Sequence, residues 1–142
     1  MLDLTNRPPG LPLISLLLAV CLLGCAKGPA TDSHDSIERA FRERRSNVQV
    51  TAAGEVTRLL SDDNLGSRHQ RLIVRLASGQ TVLIQHNIDL APRVPDLAPG
   101  DLVKFVGEYE WNDEGGIVHW THHDPLGRHP DGWIEHKGKV YK

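Results

Sequence analysis

From Val48 onward the chain alternates between apolar and polar residues in successive short segments, and this pattern limits its possible folds more than any other feature. Alternation with a period of two is typical of β-strands that turn one face to a core and the other to solvent. Turn-forming residues such as Asp, Asn, Ser, Gly and Pro separate the segments. The sequence therefore predicts five strands, which cover roughly residues 48–60, 69–76, 81–86, 103–109 and 117–122.

The order of these strands predicts a small closed sheet of the OB type. Three strands joined by short turns, a longer connection with prolines from Asn87 to Asp101, and a final hairpin follow one another as they do in that five-stranded barrel. Gly54 interrupts the first strand, which suits a strand that bends to serve both halves of the sheet. Residues 124–142 show no strong periodicity, and we expect them to wrap one end of the barrel.

A short amphipathic helix is predicted before the first strand, over residues 37–45. Ile37, Ala40 and Phe41 fall on one of its faces, and Ser36 stands where a side chain can cap the helix N-terminus. The predicted fold class is therefore all-β: a single domain over residues 37–142 in which this helix precedes a five-stranded OB-like barrel.

The N-terminal segment indicates export. Residues 11–24 form an uncharged apolar run, which is shorter than the ~20 residues that span a bilayer but has the length of a signal-peptide core. The run ends in Leu22-Leu23-Gly24-Cys25, which resembles the lipobox of bacterial lipoproteins. This resemblance implies that residues 1–24 are a signal peptide, that Cys25 is acylated, and that residues 25–36 are a tether. A plain secretory signal and an uncleaved anchor are the alternatives.

Cysteine usage and charge fit an exported domain. Both cysteines, Cys21 and Cys25, lie in the N-terminal segment, so the domain that follows has no internal disulfide and depends on its own core. Ala26 follows the second cysteine, which in a Gram-negative cell favours the periplasmic side of the outer membrane. The formal net charge is −2, which argues neither for nor against a polyanionic ligand.

Three runs of residues in the predicted barrel are distinctive. They are GSRHQR at 66–71, HNIDLAPR at 86–93, and HWTHHDP at 119–125 with its continuation through GRH at 127–129 and GWI at 132–134. With these runs the chain resembles a family of small exported bacterial proteins that is known only as a domain of unknown function. The resemblance covers roughly residues 54–142 and implies membership without an activity.

Histidine is concentrated near the end of the chain, where five of the eight histidines lie between residues 119 and 136. In an OB-like barrel the third and fifth strands run parallel, so their C-terminal ends meet at one pole. His86 ends the third strand on its inward side, and His122 ends the fifth strand in the same way if Val118 and Trp120 point inward. We expect further polar residues to gather at this pole: Asn87, Asp89, Arg93, His123, Asp124, Arg128 and His129.

Three explanations for this polar cluster stay open. It is a structural network that satisfies buried groups, a site for a divalent transition metal, or a catalytic site without a permanent metal. In the catalytic case a histidine acts as general base, and Arg93 or Arg128 stabilises an oxyanion or a phosphate. The candidate metal ligands are His86, His122 and Asp89. The candidate catalytic residues are His122, His123, Asp124 and Arg93.

The outer face of the second strand is a separate candidate site. His69, Arg71 and Arg75 alternate along this face, and OB domains often bind oligonucleotides or sugars on the equivalent surface. Arginines that alternate on a strand also serve solubility, so this interpretation has a plain alternative. Trp120, at strand spacing, is expected in the core rather than in a stacking platform.

Taken together, the sequence predicts an envelope lipoprotein that acts as a binding or accessory module. Its expected partners are the membrane, through the anchor at Cys25, and a nucleic acid strand, a glycan or another envelope protein. The alternative is a metal- or histidine-dependent hydrolase, acting on phosphodiesters at the histidine-rich pole. A bound metal and perturbed histidines favour the enzyme, whereas an open basic strand face without a pocket favours the binder.

Overall fold

The structure is a computed structural model that describes residues 36–142. The predicted signal peptide, the lipidation at Cys25 and nearly all of the tether lie outside the described residues. Within the described residues, no helix is long and apolar enough to cross a membrane.

Residues 36–142 form one helix and seven strands. The helix begins as predicted, because the Ser36 hydroxyl accepts a hydrogen bond from the backbone N–H of Arg39 at 3.2 Å. It ends three residues earlier than predicted, and Arg44 then adopts a left-handed φ of 53°. The elements are α1 Ile37–Arg42, β1 Val48–Asp63, β2 His69–Leu76, β3 Thr81–Asn87, β4 Leu102–Glu110, β5 Ile117–His119, β6 Trp133–His136 and β7 Lys139–Tyr141.

Five of the strands pair in a closed ring. β1 pairs with both β2 and β4, β2 pairs with β3, and β5 lies between β3 and β4. The pairing of β3 with β5 is parallel, and the other pairings in the ring are antiparallel. This strand order confirms the predicted all-β fold with OB-like topology.

Gly54 lies where β1 changes its partner strand. Its Cα pairs with Leu76 of β2 and with Val103 of β4. A Cβ on this residue would collide with the backbone carbonyl of Arg75, so the two strands approach this closely only because the residue is glycine. A register shift follows at Val56, which gives β1 the bend that the sequence predicts.

The core fills the inside of the ring with the inward faces of its strands. Leu72 and Val74 of β2, Ile84 of β3, and Phe105 and Tyr109 of β4 are fully buried. Burial of each side chain of this size contributes about 1.5–3 kcal/mol relative to its exposure. The domain therefore has a core that needs no disulfide.

The C-terminal segment differs from the prediction, because it adds a strand hairpin instead of only wrapping the barrel. β6 pairs with the first half of β4, and β7 pairs with β6. Lys137 and Gly138 join them with φ values of 50° and 76°, which is the backbone of a tight primed turn. Four residues in β6 are too few for an alternating pattern to stand out in the sequence.

Candidate functional site

A cleft of about 400 Å³ opens on the outer face of β2, β3 and β5. Outward side chains of the strands form its floor, and loop residues form its walls. The floor residues are His69, Gln85, Asn87 and His119. The principal wall residues are Leu90, Trp120, His122, Arg128 and His129. None of the described residues that line the cleft carries a carboxylate.

The wall loop, residues 120–132, is folded around the buried carboxylate of Asp124. This carboxylate accepts hydrogen bonds from the backbone N–H groups of Leu126 at 3.0 Å and Arg128 at 2.6 Å. Burial alone would raise the pKa of Asp124, but these hydrogen bonds and the Arg128 guanidinium outweigh it and hold the pKa well below its ordinary value. Asp124 is absent from the cleft lining, so it shapes the loop rather than facing a substrate as predicted.

A second contact closes the same loop from outside. The Nδ1 atom of His123 lies 2.8 Å from the Asp131 carboxylate, which also accepts the backbone N–H of Asp124 at 3.1 Å. The hydrogen bond from His123 lowers the pKa of Asp131. His123 is exposed and lies outside the cleft, so this predicted catalytic residue is also a loop contact.

His122 is the one predicted catalytic residue that lines the cleft. Its Nδ1–H donates to the backbone carbonyl of His123 at 2.8 Å, so the neutral ring carries its lone pair on Nε2. The residue is 3% exposed, and its Nε2 forms no hydrogen bond with the described residues. Because no buried side-chain nitrogen or oxygen in residues 36–142 lacks a partner, this Nε2 keeps some access to solvent, and the residue as a whole lines the cleft.

Trp120 stands at the mouth of the cleft, and the prediction that it lies in the core is wrong. β5 ends at His119, and Trp120 adopts a left-handed φ of 51°, which turns its side chain outward. The indole is 40% exposed and stacks on the ring of His129, with centroids 4.4 Å apart and planes 16° apart. For a residue other than glycine this backbone conformation costs about 1–2 kcal/mol.

His129 connects this stack to His122. Its Nδ1–H donates to the Pro130 carbonyl at 2.8 Å, and its ring meets that of His122 edge to face at 5.0 Å. Its Nε2 lies 3.9 Å from the carboxylate of Asp124, beneath the loop. The aromatic wall of the cleft thus lies next to the buried carboxylate that folds the loop.

His86 points into the barrel, as predicted, but it is fully satisfied there. The Thr121 hydroxyl donates to its Nδ1 at 2.8 Å, and its Nε2–H donates to the Pro92 carbonyl at 3.1 Å. Burial is the largest influence on this ring and lowers the pKa of His86 to about 4, which keeps it neutral. His86 therefore belongs to a structural network that ties β3 to the loop after β5.

The predicted metal site is not assembled. Both ring nitrogens of His86 are engaged, and the exposed Asp89 carboxylate is bound by the backbone N–H and Nε of Arg68, each at 2.7 Å. The hydrogen bond from the Arg68 backbone is the main reason that the pKa of Asp89 is lowered. No three His, Cys, Asp or Glu side chains within residues 36–142 are grouped so as to hold a metal ion.

Three of the predicted arginines, Arg71, Arg75 and Arg93, lie outside the cleft, whereas Arg128 lines it. Arg93 forms an ion pair with Asp62, and Arg75 forms one with Glu55 at 3.2 Å. Arg71 donates to the Ser61 carbonyl at 2.9 Å and lines a separate, smaller depression of about 280 Å³ on the outer face of β2 and β3. Neither Arg93 as a catalytic group nor Arg75 as a binding group reaches the cleft.

Sequence reasoning missed five of the cleft residues, which are Ser67, Gln85, Leu90, His119 and Trp120. The topology contains a signal for Gln85, which pairs with Arg71 on the face that the pair of Asn87 and His69 also shares, and for His119, which follows the buried Val118 on β5. Residues that pair in this way share a face, so the outward set follows once the strands are aligned. Nothing in the sequence marks Trp120, since its outward position comes from an unusual backbone conformation.

Fold and cleft together define the protein as an OB-like domain that carries a polar, histidine-lined cleft on the outer face of its sheet. The chain belongs to the family described as protein of unknown function (DUF3465), whose model matches residues 18–142. No curated protein and no solved structure matches the chain.

Proposed function

We propose that this protein is a binding module of the cell envelope that holds its ligand in the cleft on the outer face of β2, β3 and β5. The observation that carries this proposal is Trp120, an exposed aromatic ring held in a costly backbone conformation at the mouth of a polar cleft. Strained residues persist where the surrounding structure enforces them, and they concentrate at sites of function.

The size and chemistry of the cleft support binding. Its volume of about 400 Å³ falls in the range of small-ligand sites, which is roughly 300–1,000 Å³. The amides of Gln85 and Asn87 and the imidazole of His69 offer both donors and acceptors on the floor. A ligand that stacks on the wall and hydrogen-bonds to the floor would use both features.

The envelope location in this proposal depends on the N-terminal sequence. The apolar run over residues 11–24 and the lipobox-like residues that end at Cys25 support export and lipid anchoring. In the proposed arrangement, the membrane is therefore a second partner, reached through the acylated cysteine. Mass spectrometry of the mature protein tests this directly, because Cys25→Ser should abolish acylation and an unlipidated N-terminus elsewhere would contradict it.

Titrations with three ligand classes test the binding function. Single-stranded oligonucleotide, oligosaccharide and peptide are added in turn, and backbone amide shifts are followed by NMR. We expect one class to saturate shifts at Gln85, Asn87 and Trp120, and Gln85→Ala to weaken the binding. Asn64→Ala, in an exposed turn outside the cleft, serves as the control. Absence of saturable binding by every class, or shifts confined to β6 and β7, would contradict the proposal.

One observation favours a second candidate, a histidine-dependent phosphodiester hydrolase. The Nδ1–H of His122 is fixed by a carbonyl while its Nε2 forms no hydrogen bond with the described residues, in a side chain that lines the cleft, and a general base needs such a free nitrogen. In this candidate, His122 removes the proton from a nucleophilic water, and the nearby Arg128 guanidinium attracts the phosphate. Turnover of a chromogenic phosphodiester, lost in His122→Gln and kept in His123→Gln, supports it. The absence of turnover in the unaltered protein rejects it.

A further inference from the structure

Trp120 and His119 separate the cleft from a second depression on the same surface. This outer depression has a volume of about 460 Å³ and is lined by Ser46, Asn47, Glu108, Glu110, His119 and Trp120. Because Trp120 and His119 line both sites, they form a ridge between them. A ligand too long to fit within the cleft would therefore have to extend across this ridge.

The two sides of the ridge differ in charge. The cleft side offers amides, imidazoles and one guanidinium, whereas the outer depression offers the carboxylates of Glu108 and Glu110. Glu108 is half-buried and pairs across the sheet with His119, and Glu110 lies 3.1 Å from the Nε2 of His119. A polyanion that left the cleft across the ridge would meet these carboxylates, and like charges disfavour such a ligand.

The same groups suit a ligand rich in hydroxyl groups. Carboxylates and side-chain amides accept and orient hydroxyl protons, and a hydrogen bond to a carboxylate is stronger than one between neutral groups. An exposed indole offers a flat apolar face for the C–H surface of a sugar ring. His129 already covers one face of the Trp120 indole, so its exposed surface is left for such a contact.

We infer that the ligand is an uncharged glycan strand that crosses the Trp120 ridge, with one sugar on the floor at Gln85 and Asn87 and the next against Glu108. This inference rests on the proposed binding function and adds the class of ligand to it. It also assigns Trp120 the role of platform between two subsites. The carboxylates of the outer depression then serve as hydroxyl acceptors that exclude nucleic acid.

Calorimetry with neutral oligosaccharides tests the inference. The probes are chitin-type and glucan-type oligomers of increasing length, and a single-stranded oligothymidylate of similar length is the polyanion. We expect glycan affinity to rise with length until both subsites are filled and to change little with salt. Trp120→Ala should weaken it at least tenfold, which corresponds to about 1.4 kcal/mol. Leu102→Ala, which removes a residue 74% exposed outside both sites, should leave it unchanged.

A measurement on the unaltered protein covers the case in which Trp120→Ala fails to fold. The indole N–H signal of Trp120 should shift on glycan addition, whereas that of Trp111, which donates to the Phe41 carbonyl at 3.1 Å, should not. Salt-sensitive oligothymidylate binding at the cleft without glycan binding would overturn the glycan inference and leave the binding function intact. If neither probe nor peptide binds, the inference and the proposed function fail together.

Discussion

Two nearly buried histidines, His86 and His122, use their ring nitrogens differently. Both nitrogens of His86 are hydrogen-bonded, one to the Thr121 hydroxyl and one to the Pro92 carbonyl. His122 bonds through one nitrogen, to the carbonyl of His123, and its other nitrogen has no hydrogen-bond partner among the described residues, although the residue lines the cleft. The comparison shows that burial alone does not distinguish a structural histidine from one that is available to a ligand. The hydrogen-bond partners of the two ring nitrogens do distinguish them.

The largest expected effect is a loss of stability in His86→Ala. This change leaves the Thr121 hydroxyl and the Pro92 carbonyl without their partner and opens a cavity in the barrel, which together cost about 3 kcal/mol. Urea unfolding measures the loss. The His122 ring satisfies only one backbone carbonyl, so His122→Ala should lower the free energy of unfolding by about 1 kcal/mol. Equal losses in the two variants would break the distinction between the two histidines.

A pH titration sharpens the same distinction. The pKa of His86 is lowered from 6.5 to about 4 in the folded protein, so the unfolded chain binds more protons at this residue between these pH values. Stability should therefore rise with pH across this window, and acidification from pH 7 to 5 should cost about 2 kcal/mol. Unfolding curves for His86→Leu should lack this dependence. If the free energy of unfolding of that variant still rose with pH by the same amount, a group other than His86 would be responsible for the dependence.

The next effect is on binding rather than on stability. His122→Ala should weaken binding of the cleft ligand about tenfold, or about 1.4 kcal/mol, because it removes the open imidazole from the wall. His123→Gln is the matched control, since His123 adjoins His122 in the chain but lies outside the cleft. Calorimetric titration compares the two variants. Equal weakening by both would mean that the loop, and not the His122 ring, determines affinity.

The smallest effects are expected at the surface arginines. Arg93→Ala and Arg75→Ala each remove one exposed ion pair, with Asp62 and Glu55 respectively. Exposed pairs contribute about 0–1 kcal/mol, so unfolding free energies should stay within about 0.5 kcal/mol of the unaltered protein. Binding in the cleft should not change either. A large loss of binding in Arg93→Ala would restore a role for Arg93 at the site, which the sequence predicted as catalytic.

The sequence predicted the five strands of the ring, with the fifth too long, and missed the two short strands of the C-terminal hairpin. β1 to β4 have clear alternation of apolar and polar residues. The bend in β1 was predictable as well, because Gly54 interrupts this alternation with a residue that has no side chain. β6 has only four residues, and β5 stops at His119 because of the backbone of Trp120. A left-handed conformation at a tryptophan leaves no trace in composition or period.

For the candidate site, the sequence predicted residues but not their partners. The inward position of His86 followed from its place on the third strand, and His122 was expected to be buried near it. The direction of the loop after β5 was not predictable, because it depends on backbone hydrogen bonds to Asp124. That loop builds the cleft on the outer face of the sheet rather than at the pole of the barrel.

The parallel pairing of β3 with β5 is the shortest join in the ring, with only Leu83 against Ile117 and Ile84 against Val118. Local opening of a folded protein begins where the fewest backbone hydrogen bonds hold two elements together, so this seam should exchange its amide hydrogens early. The floor of the cleft crosses the seam, with Gln85 on one strand and His119 on the other. A bound ligand that touches both strands should therefore hold them together. The rate at which the backbone amides of this pairing exchange with deuterium should fall as the cleft fills.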